Sequence, residues 1–325
     1  LKFFSLLKIL NLFIILIIKM SISIHIPFYN PNPEKTEGYR NLTRFDYLKE
    51  NISNLKNLSI KTDIFVHTHN HFLDDKNLKA KIVKHEINQT DLDKGYLTWL
   101  TRKLMKKQKD DYEYFMYLEH DIKFSEINLQ YWFKHHKNLT NKNFHLGFLI
   151  YEQNHNDNEK YSIHIIKKLK NYIILDNQKY LVNDWDNYCC FWLYDKKQFN
   201  SFIKTKWWDF KKKLTNFRHN YGLTERSALG YHAFNVGYFK ATLIPEIMDQ
   251  PDPDCMIEHL TNNYFEKFSN SKENEFLDIR GACRYKTNEI FELNKKQINL
   301  RDYFYLNKIL KIFLWKLRFI TRKIN

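Results

Sequence analysis

Tyr112-Glu113-Tyr114-Phe115-Met116-Tyr117-Leu118-Glu119-His120-Asp121-Ile122 is the stretch on which the fold turns. Tyr112 to Leu118 reads as a dense aromatic strand that runs straight into two carboxylates two residues apart. In an extended segment positions i and i+2 point the same way, so Glu119 and Asp121 converge on one object. Parallel α/β sheets bind ligands beyond the C-terminal ends of their strands, which is where this pair falls. A hard divalent cation, Mn²⁺ or Mg²⁺, held by one or two carboxylates plus substrate phosphates is the natural occupant. A turn with solvated acids after a buried strand is the competing reading.

Outward from this strand the first ~135 residues alternate strand and helix, the pattern of a parallel sheet in an α/β domain. Ser21 to Phe28 alternates apolar and polar residues and stops at Pro27, which predicts a first strand. Leu42, Phe45, Leu48, Ile52 and Leu55 recur at three and four residues and mark an amphipathic helix. Ile60 to Thr68 and Lys81 to Ile87 read as two further strands. A helix follows Gly95 with Leu97, Leu100 and Leu104 on one side, and Ser125 caps a helix that carries Ile127, Tyr131 and Trp132. Beyond Phe144 the pattern changes to strands at His145 to Tyr151, Tyr172 to Leu175 and Tyr188 to Tyr194. Helices around Lys197 to Lys204 and Thr224 to Phe234 follow, then a strand from Tyr238 that ends at Pro245.

Composition narrows the classes. The 325 residues are 43% hydrophobic and 17% aromatic, enough for a well-buried core and too apolar for disorder over most of the chain. Seven glycines and six prolines argue against propellers and collagenous segments. No G-x-G-x-x-G and no G-x-x-x-x-G-K-[ST] occurs, which disfavours a Rossmann dehydrogenase and a P-loop NTPase. Cys189, Cys190, Cys255 and Cys283 form no C-x-x-C pair, so zinc ribbons and disulfide scaffolds are poorly supported.

The formal charge of +15 is concentrated at the ends. Residues 301–325 hold seven Lys and Arg against Asp302 alone, and residues 1–19 hold three lysines and no acid. Both ends are also apolar, a pattern that favours an anionic membrane surface over a nucleic-acid groove. Residues 1–19 suit a membrane anchor, a signal-peptide core or sequence upstream of a start at Met20. Residues 301–325 suit a basic amphipathic helix, lying in a membrane interface or docked on the body. Residues 20–300 make up the body, with 20–135 as one half and 136–300 as the other.

The first strand ends Ile24-His25-Ile26-Pro27-Phe28-Tyr29-Asn30. An Ile-Pro-aromatic-Tyr-Asn ending, strand–helix alternation and an acidic motif near residue 120 resemble a GT-A glycosyltransferase. Gly95, the helix of Leu97 to Met105 and the strand Asp111 to Leu118 are similar to that family's approach to its D-x-D. The resemblance covers roughly residues 21–265. It implies a Rossmann-like mixed sheet flanked by helices and transfer of a sugar from a nucleotide-sugar donor to the hydroxyl of a glycan or glycolipid. It makes Asp121 the leading metal ligand, with Glu119 facing ribose or a second metal position. Pro27, Tyr29, Asn30 and His120 would line the nucleotide, with residues 20–135 as the nucleotide-sugar half and 136–300 as the acceptor half. Here the motif is E-x-D with His120 inside it, a departure that also allows a metal-independent variant.

Two later segments fit the same scheme. In Glu258-His259-Leu260-Thr261, His259 is positioned in sequence to return to the metal or diphosphate, as a late histidine does in many such enzymes. In Gly222-Leu223-Thr224-Glu225, Glu225 would be the base that deprotonates the acceptor, with Asp184 and Asp186 as alternatives. Glu in a first helical turn is also favourable through the helix dipole alone. Trp185, Tyr188, Phe191, Trp192, Trp207 and Trp208 supply aromatic faces for sugars or for the core. Two other classes compete. One is a metal-dependent nuclease or phosphohydrolase using Glu119, His120, Asp121 and His259. The other is a non-catalytic membrane-associated binding protein that works through its ends.

Overall fold

The computed structural model describes residues 20–69, 78–142, 144–154, 158–165, 168–183, 188–205, 207–208, 222–230, 242–265 and 285–298. Within them the first strand is β1 (Ser21–Pro27), followed by helix α1 (Arg44–Lys56), β2 (Lys61–His69) and β3 (Lys81–His85). Helix α2 (Leu97–Lys107), β4 (Tyr114–Leu118) and α3 (Glu126–Asn141) complete the alternating part. β1 pairs in parallel with β2 and β4, and β2 with β3, while β8 (Phe191–Asp195) adds antiparallel to β4. The order is β8-β4-β1-β2-β3. The chain winds outward one way from β1 through β2 to β3 and the other way to β4. The crevice between the carboxyl ends of β1 and β4 is therefore the switch point where open α/β sheets bind ligands.

Both faces of this sheet are covered, so alternation of polarity in β1 does not mean alternation of exposure. Ile22, Ile24 and Ile26 are fully buried, and so are Ser23 and His25 between them. Phe28 packs toward Phe45 at the start of α1, with ring centroids 6.1 Å apart. His25 on the opposite parity reaches Gln108 at the end of α2. Helix α1 opens on Thr43, whose Oγ1 accepts from the Asp46 N–H at 3.2 Å while Asp46 Oδ2 accepts from the Thr43 N–H at 3.1 Å. This reciprocal pair satisfies two of the orphan donors at the helix start.

The second half builds two further sheets. β5 (Leu149–Gln153) lies parallel to β10 (Met256–His259), which pairs antiparallel with Ile122–Lys123. β6 (Leu169–Leu175), β7 (Gln178–Asn183), β9 (Thr242–Ile247) and β11 (Phe291–Gln297) form the other, in the order β9-β7-β6-β11. The mixed α/β class with helix-flanked sheets is thus present. The boundary at residue 135 does not divide the sheets, because β8 from the second half closes the first one.

Three sequence expectations need correction. Leu100 and Leu104 are only half-buried; α2 instead buries Leu97, Trp99, Thr101, Arg102 and Met105. Arg102 satisfies its charge by bonding the carbonyls of Trp207, Trp208 and Ser227 and by lying over the rings of Trp99, Phe202 and Trp208. Ile127 is exposed, and α3 buries Leu129, Tyr131, Trp132, His135, His136 and Leu139. The strand expected to stop at Pro245 runs on to Ile247, with Pro245 opposite Tyr180. The ends at 1–19 and 301–325, and the continuation of the helix from Thr224 beyond Gly230, lie outside the described residues. No helix among the described residues is long and apolar enough to cross a membrane.

Candidate active site at the strand switch point

The E-x-D segment leaves β4 as a turn, with the Ile122 N–H donating to the Glu119 carbonyl at 3.3 Å. Asn51, buried on α1, donates through Nδ2 to the carbonyls of His120 (3.1 Å) and Glu119 (3.4 Å) and so fixes the turn. β10 comes back beside it with His259 opposite Ile122, and the Leu260 N–H donates to the Asp121 carbonyl at 2.8 Å. That register sets His259 Nε2 3.4 Å from Asp121 Oδ2. β5, parallel to β10, delivers Glu152, fully buried, whose Oε1 lies 2.5 Å from His259 Nδ1. Glu152 also accepts from the backbone N–H groups of Tyr264 and Phe265, at 3.2 and 2.5 Å. A chain of Asp121, His259 and Glu152 thus joins three segments far apart in sequence.

Electrostatics separates the two acids. Burial would raise the Asp121 carboxyl, yet the charges of His120, His259 and Arg44 outweigh it and hold it well below the usual range. Burial pushes Glu119 up to about 8, and the adjacent Asp121 and Glu225 charges add to the rise against a hydrogen bond from Tyr188. That bond is 2.7 Å, from the Tyr188 hydroxyl to Glu119 Oε1. Burial works against the His259 imidazolium, but Asp121 and Glu152 on either side raise it to about 10. His120 goes the other way, to about 4, because burial and the charges of Arg44 and His259 prevail over Asp121. Neighbouring groups with ionisations pushed apart in this way make a candidate functional site.

The sequence candidates fare differently. Glu119, Asp121 and His259 lie close enough together for their charges to interact. Glu225 on α4 (Leu223–Ala228) is close enough for its charge to act on Glu119. His120 is buried, its ring edge-on to Phe28 at 5.5 Å and within 3.4 Å of Arg44 Nε. Pro27 is buried in β1 opposite His67. The Tyr29 hydroxyl donates to Asp93 and accepts from Gln89, at 3.0 and 2.7 Å. Asn30 keeps a buried side-chain oxygen without a partner. Asp184, Asp186 and Trp185 lie outside the described residues. Phe191, Trp192, Trp207 and Trp208 are core.

Glu152, Tyr188, Tyr264 and Arg44 were not singled out as charged or polar partners of the acids. Only Glu152 carried a sequence signal, as a lone acid in the apolar run Leu149-Ile150-Tyr151-Glu152. Gly38, at φ +68°, is required close by: a Cβ there would stand 1.9 Å from the Thr261 carbonyl oxygen.

Among the described residues no cluster of three or more His, Cys, Asp or Glu side chains is arranged to hold a metal ion. The donor chemistry nonetheless fits in part. Asp121 Oδ2 and His259 Nε2 face each other, Glu119 is destabilised as an anion beside Asp121, and bound phosphates characteristically complete such coordination. No family model matches the chain, and no curated protein matches it significantly.

Proposed function

We propose that this chain is a GT-A-like glycosyltransferase that moves a sugar from a nucleoside-diphosphate donor to a hydroxyl of a glycan or lipid-linked acceptor. The observation that carries this reading is the E-x-D turn at the β1–β4 switch point with His259 returned to Asp121. The orphan Asn30 oxygen at the end of β1 supports it, since a buried acceptor without a partner suits a ligand hydroxyl or N–H. Asp121 and Glu119 would hold a divalent cation, with His259 joining them only on giving up its proton, and the bound ion would neutralise the leaving diphosphate. His259, kept charged by Asp121 and Glu152, is itself a cation placed at the acids. Tyr188 and Asn51 hold the turn so that the two carboxylates keep their separate ionisation states. Glu225 takes the acceptor proton as the sugar carbon develops positive charge. The apolar, basic ends of the sequence favour an acceptor at a membrane surface.

The test is a thermal-shift panel on the full chain with UDP, GDP and CMP and their sugars, each with and without Mn²⁺. A specific donor at 100 times its dissociation constant adds ~2.7 kcal/mol of stability. Stabilisation by one nucleotide, lost in Asp121→Asn, is the expected result. No shift with any nucleotide overturns the transferase reading. Stabilisation by inorganic phosphate or an oligonucleotide alone favours the phosphohydrolase class instead.

A further inference from the structure

A second cluster of ionisable groups lies between the parallel sheet and α2, away from the acids. His25 Nδ1 is 2.8 Å from His67 Nε2, and His67 Nδ1 is 2.8 Å from His85 Nε2. The inner end closes on Gln108 Oε1, 3.0 Å from His25 Nε2, and on Ser23 Oγ, 2.7 Å from the same nitrogen. β1, β2 and β3 each contribute one imidazole. The His67 and His85 rings stack at 5.1 Å, and Phe65 stacks on His25 at 4.9 Å. His25 and His67 are fully buried, whereas His85 on the edge strand is half-buried.

Proton counting shows what this row of rings tolerates. A neutral imidazole has one N–H and one acceptor nitrogen, and an imidazolium has two N–H groups and no acceptor. With the Gln108 carbonyl at the inner end, each ring donates through Nε2 and accepts through Nδ1. A proton on the outer nitrogen of His85 leaves every bond intact. With a tautomer shift in the rings beyond it, a single proton on His25 or His67 is also accommodated, but a second proton in the row sets N–H against N–H and breaks a link. Lys103 of α2 faces His85 and opposes even the first charge. No carboxylate among the described residues pairs with any of the three rings. Burial accordingly holds His25 down to about 3 and His67 well below its ordinary value.

Helix α2 is fastened to the sheet here through Gln108, and it carries α4 at its other end. Trp99 Nε1 donates to the Leu223 carbonyl at 2.9 Å, and Arg102 Nη2 to the Ser227 carbonyl at 3.1 Å. Gly95, just before α2, has Thr224 Cγ2 at 2.8 Å from where its Cβ would be, so no side chain fits between the two segments. We propose that the His25–His67–His85 row is an acid-sensitive latch that holds α2, and with it the Glu225 segment, on the sheet. It opens when a second proton is forced onto the rings. The proposal is independent of the transferase reading, because it needs no substrate.

Hydrogen exchange of the full chain at pH 7.5 and 5.0, corrected for the intrinsic pH dependence of exchange, tests it. Protection of residues 97–108 and 223–229 should fall at least tenfold at pH 5.0, and by more than that of β7, which lies in another sheet. His67→Gln, which retains a donor and an acceptor but takes no proton at these pH values, should lose clearly less protection in 97–108 than the wild-type chain, because only His25 and His85 are left to titrate. Unchanged protection in the wild-type chain, equal loss everywhere, or the same loss in His67→Gln overturns the latch. Should that variant fail to fold, nitrogen spectra of the wild-type histidines decide. The latch requires one shared neutral tautomer in all three rings at pH 7.5 and ring titration together with movement of the α2 amides. Rings that titrate one by one near 6.5 under a static α2 overturn it.

Discussion

The molecule contains two buried groups of ionisable side chains, and they solve burial in opposite ways. At the switch point Asp121, His259 and Glu152 alternate in sign, so burial is offset by neighbouring charge. Under α2 the row of His25, His67 and His85 offsets burial by remaining uncharged and pairing every inner nitrogen. The first arrangement leaves fields, an acid held far below its usual range and another raised to about 8, that a charged ligand would feel. The second leaves none. A buried cluster therefore points to chemistry when its charges are unequal and to architecture when its hydrogen bonds close without charge.

The largest effect that would sharpen this contrast comes from removing one partner of the charged chain. Glu152→Ala leaves the His259 imidazolium buried with one carboxylate fewer and strips the Tyr264 and Phe265 N–H groups of their acceptor. Breaking a buried pair in this way costs ~3–5 kcal/mol, measurable as a lower urea midpoint at pH 7. The pH dependence has a definite sign. His259 is raised from 6.5 to about 10, so its contribution is complete below pH 6.5 and declines as pH rises through about 10. In Glu152→Ala that alkaline decline should be complete at lower pH. An alanine variant as stable as the wild type would mean that the chain of charges does not form.

The neutral row predicts the opposite slope. His25, His67 and His85 are all lowered, so their contribution is present above pH 6.5 and is lost as pH falls, because the unfolded chain binds protons that the folded chain refuses. Each ring that stays neutral costs ~1.4 kcal/mol for each pH unit below 6.5. Urea midpoints measured from pH 7 to 5 should therefore drop steeply, and His85→Gln should make the drop shallower. An identical slope in that variant would remove His85 from the row.

The two clusters also differ in how far the sequence revealed them. Glu119 and Asp121 were legible because a strand and an i, i+2 spacing are local facts. His259 was legible only by resemblance, since nothing local states that β10 returns beside Ile122. Glu152 and Tyr188 were not identified as partners, because their roles follow from the pairing of β5 with β10 and of β8 with β4. The imidazole row escaped for the same reason. His25, His67 and His85 are far apart along the chain, and only the parallel register of three strands lines them up. The strand–helix alternation gave the first sheet almost whole, whereas β7, β10 and β11 lacked clear alternation and were not read as strands. On α2 the leucines suggested a face that Arg102 in fact occupies, since a guanidinium bonded to three carbonyls and stacked on indoles buries well.

A middle-sized effect separates a functional Glu119 from a structural one. Its carboxyl is raised from 4.5 to about 8, so between those values the folded state binds the extra proton, and stability falls as pH rises. Glu119→Gln removes that penalty and should stabilise the metal-free chain by ~1–2 kcal/mol at pH 8, with little change at pH 4.5. A gain in stability from losing a charge is the signature of a group retained for a ligand rather than for the fold. If Mn²⁺ with a nucleoside diphosphate reverses the order of the two proteins, Glu119 contributes to ligand binding. A variant less stable than the wild type at pH 8 would make Glu119 part of the framework.

The smallest effect concerns the hydroxyl that restrains this carboxyl. Tyr188 donates to Glu119 at 2.7 Å and favours its charged form, opposing burial and the Asp121 charge. Tyr188→Phe deletes the donor and keeps the ring, which also stands edge-on to His164 at 5.0 Å. Glu119 should then titrate higher still, by less than about one unit, and stability near neutral pH should change by under ~1 kcal/mol. Carbon-detected titration of the Glu119 carboxyl reads this directly. A downward shift would show that the hydroxyl was accepting from the protonated carboxyl rather than donating to it. The direction of so small a shift thus decides whether the uneven ionisation that distinguishes this cluster from the imidazole row is tempered by Tyr188 or set by burial and the Asp121 charge alone.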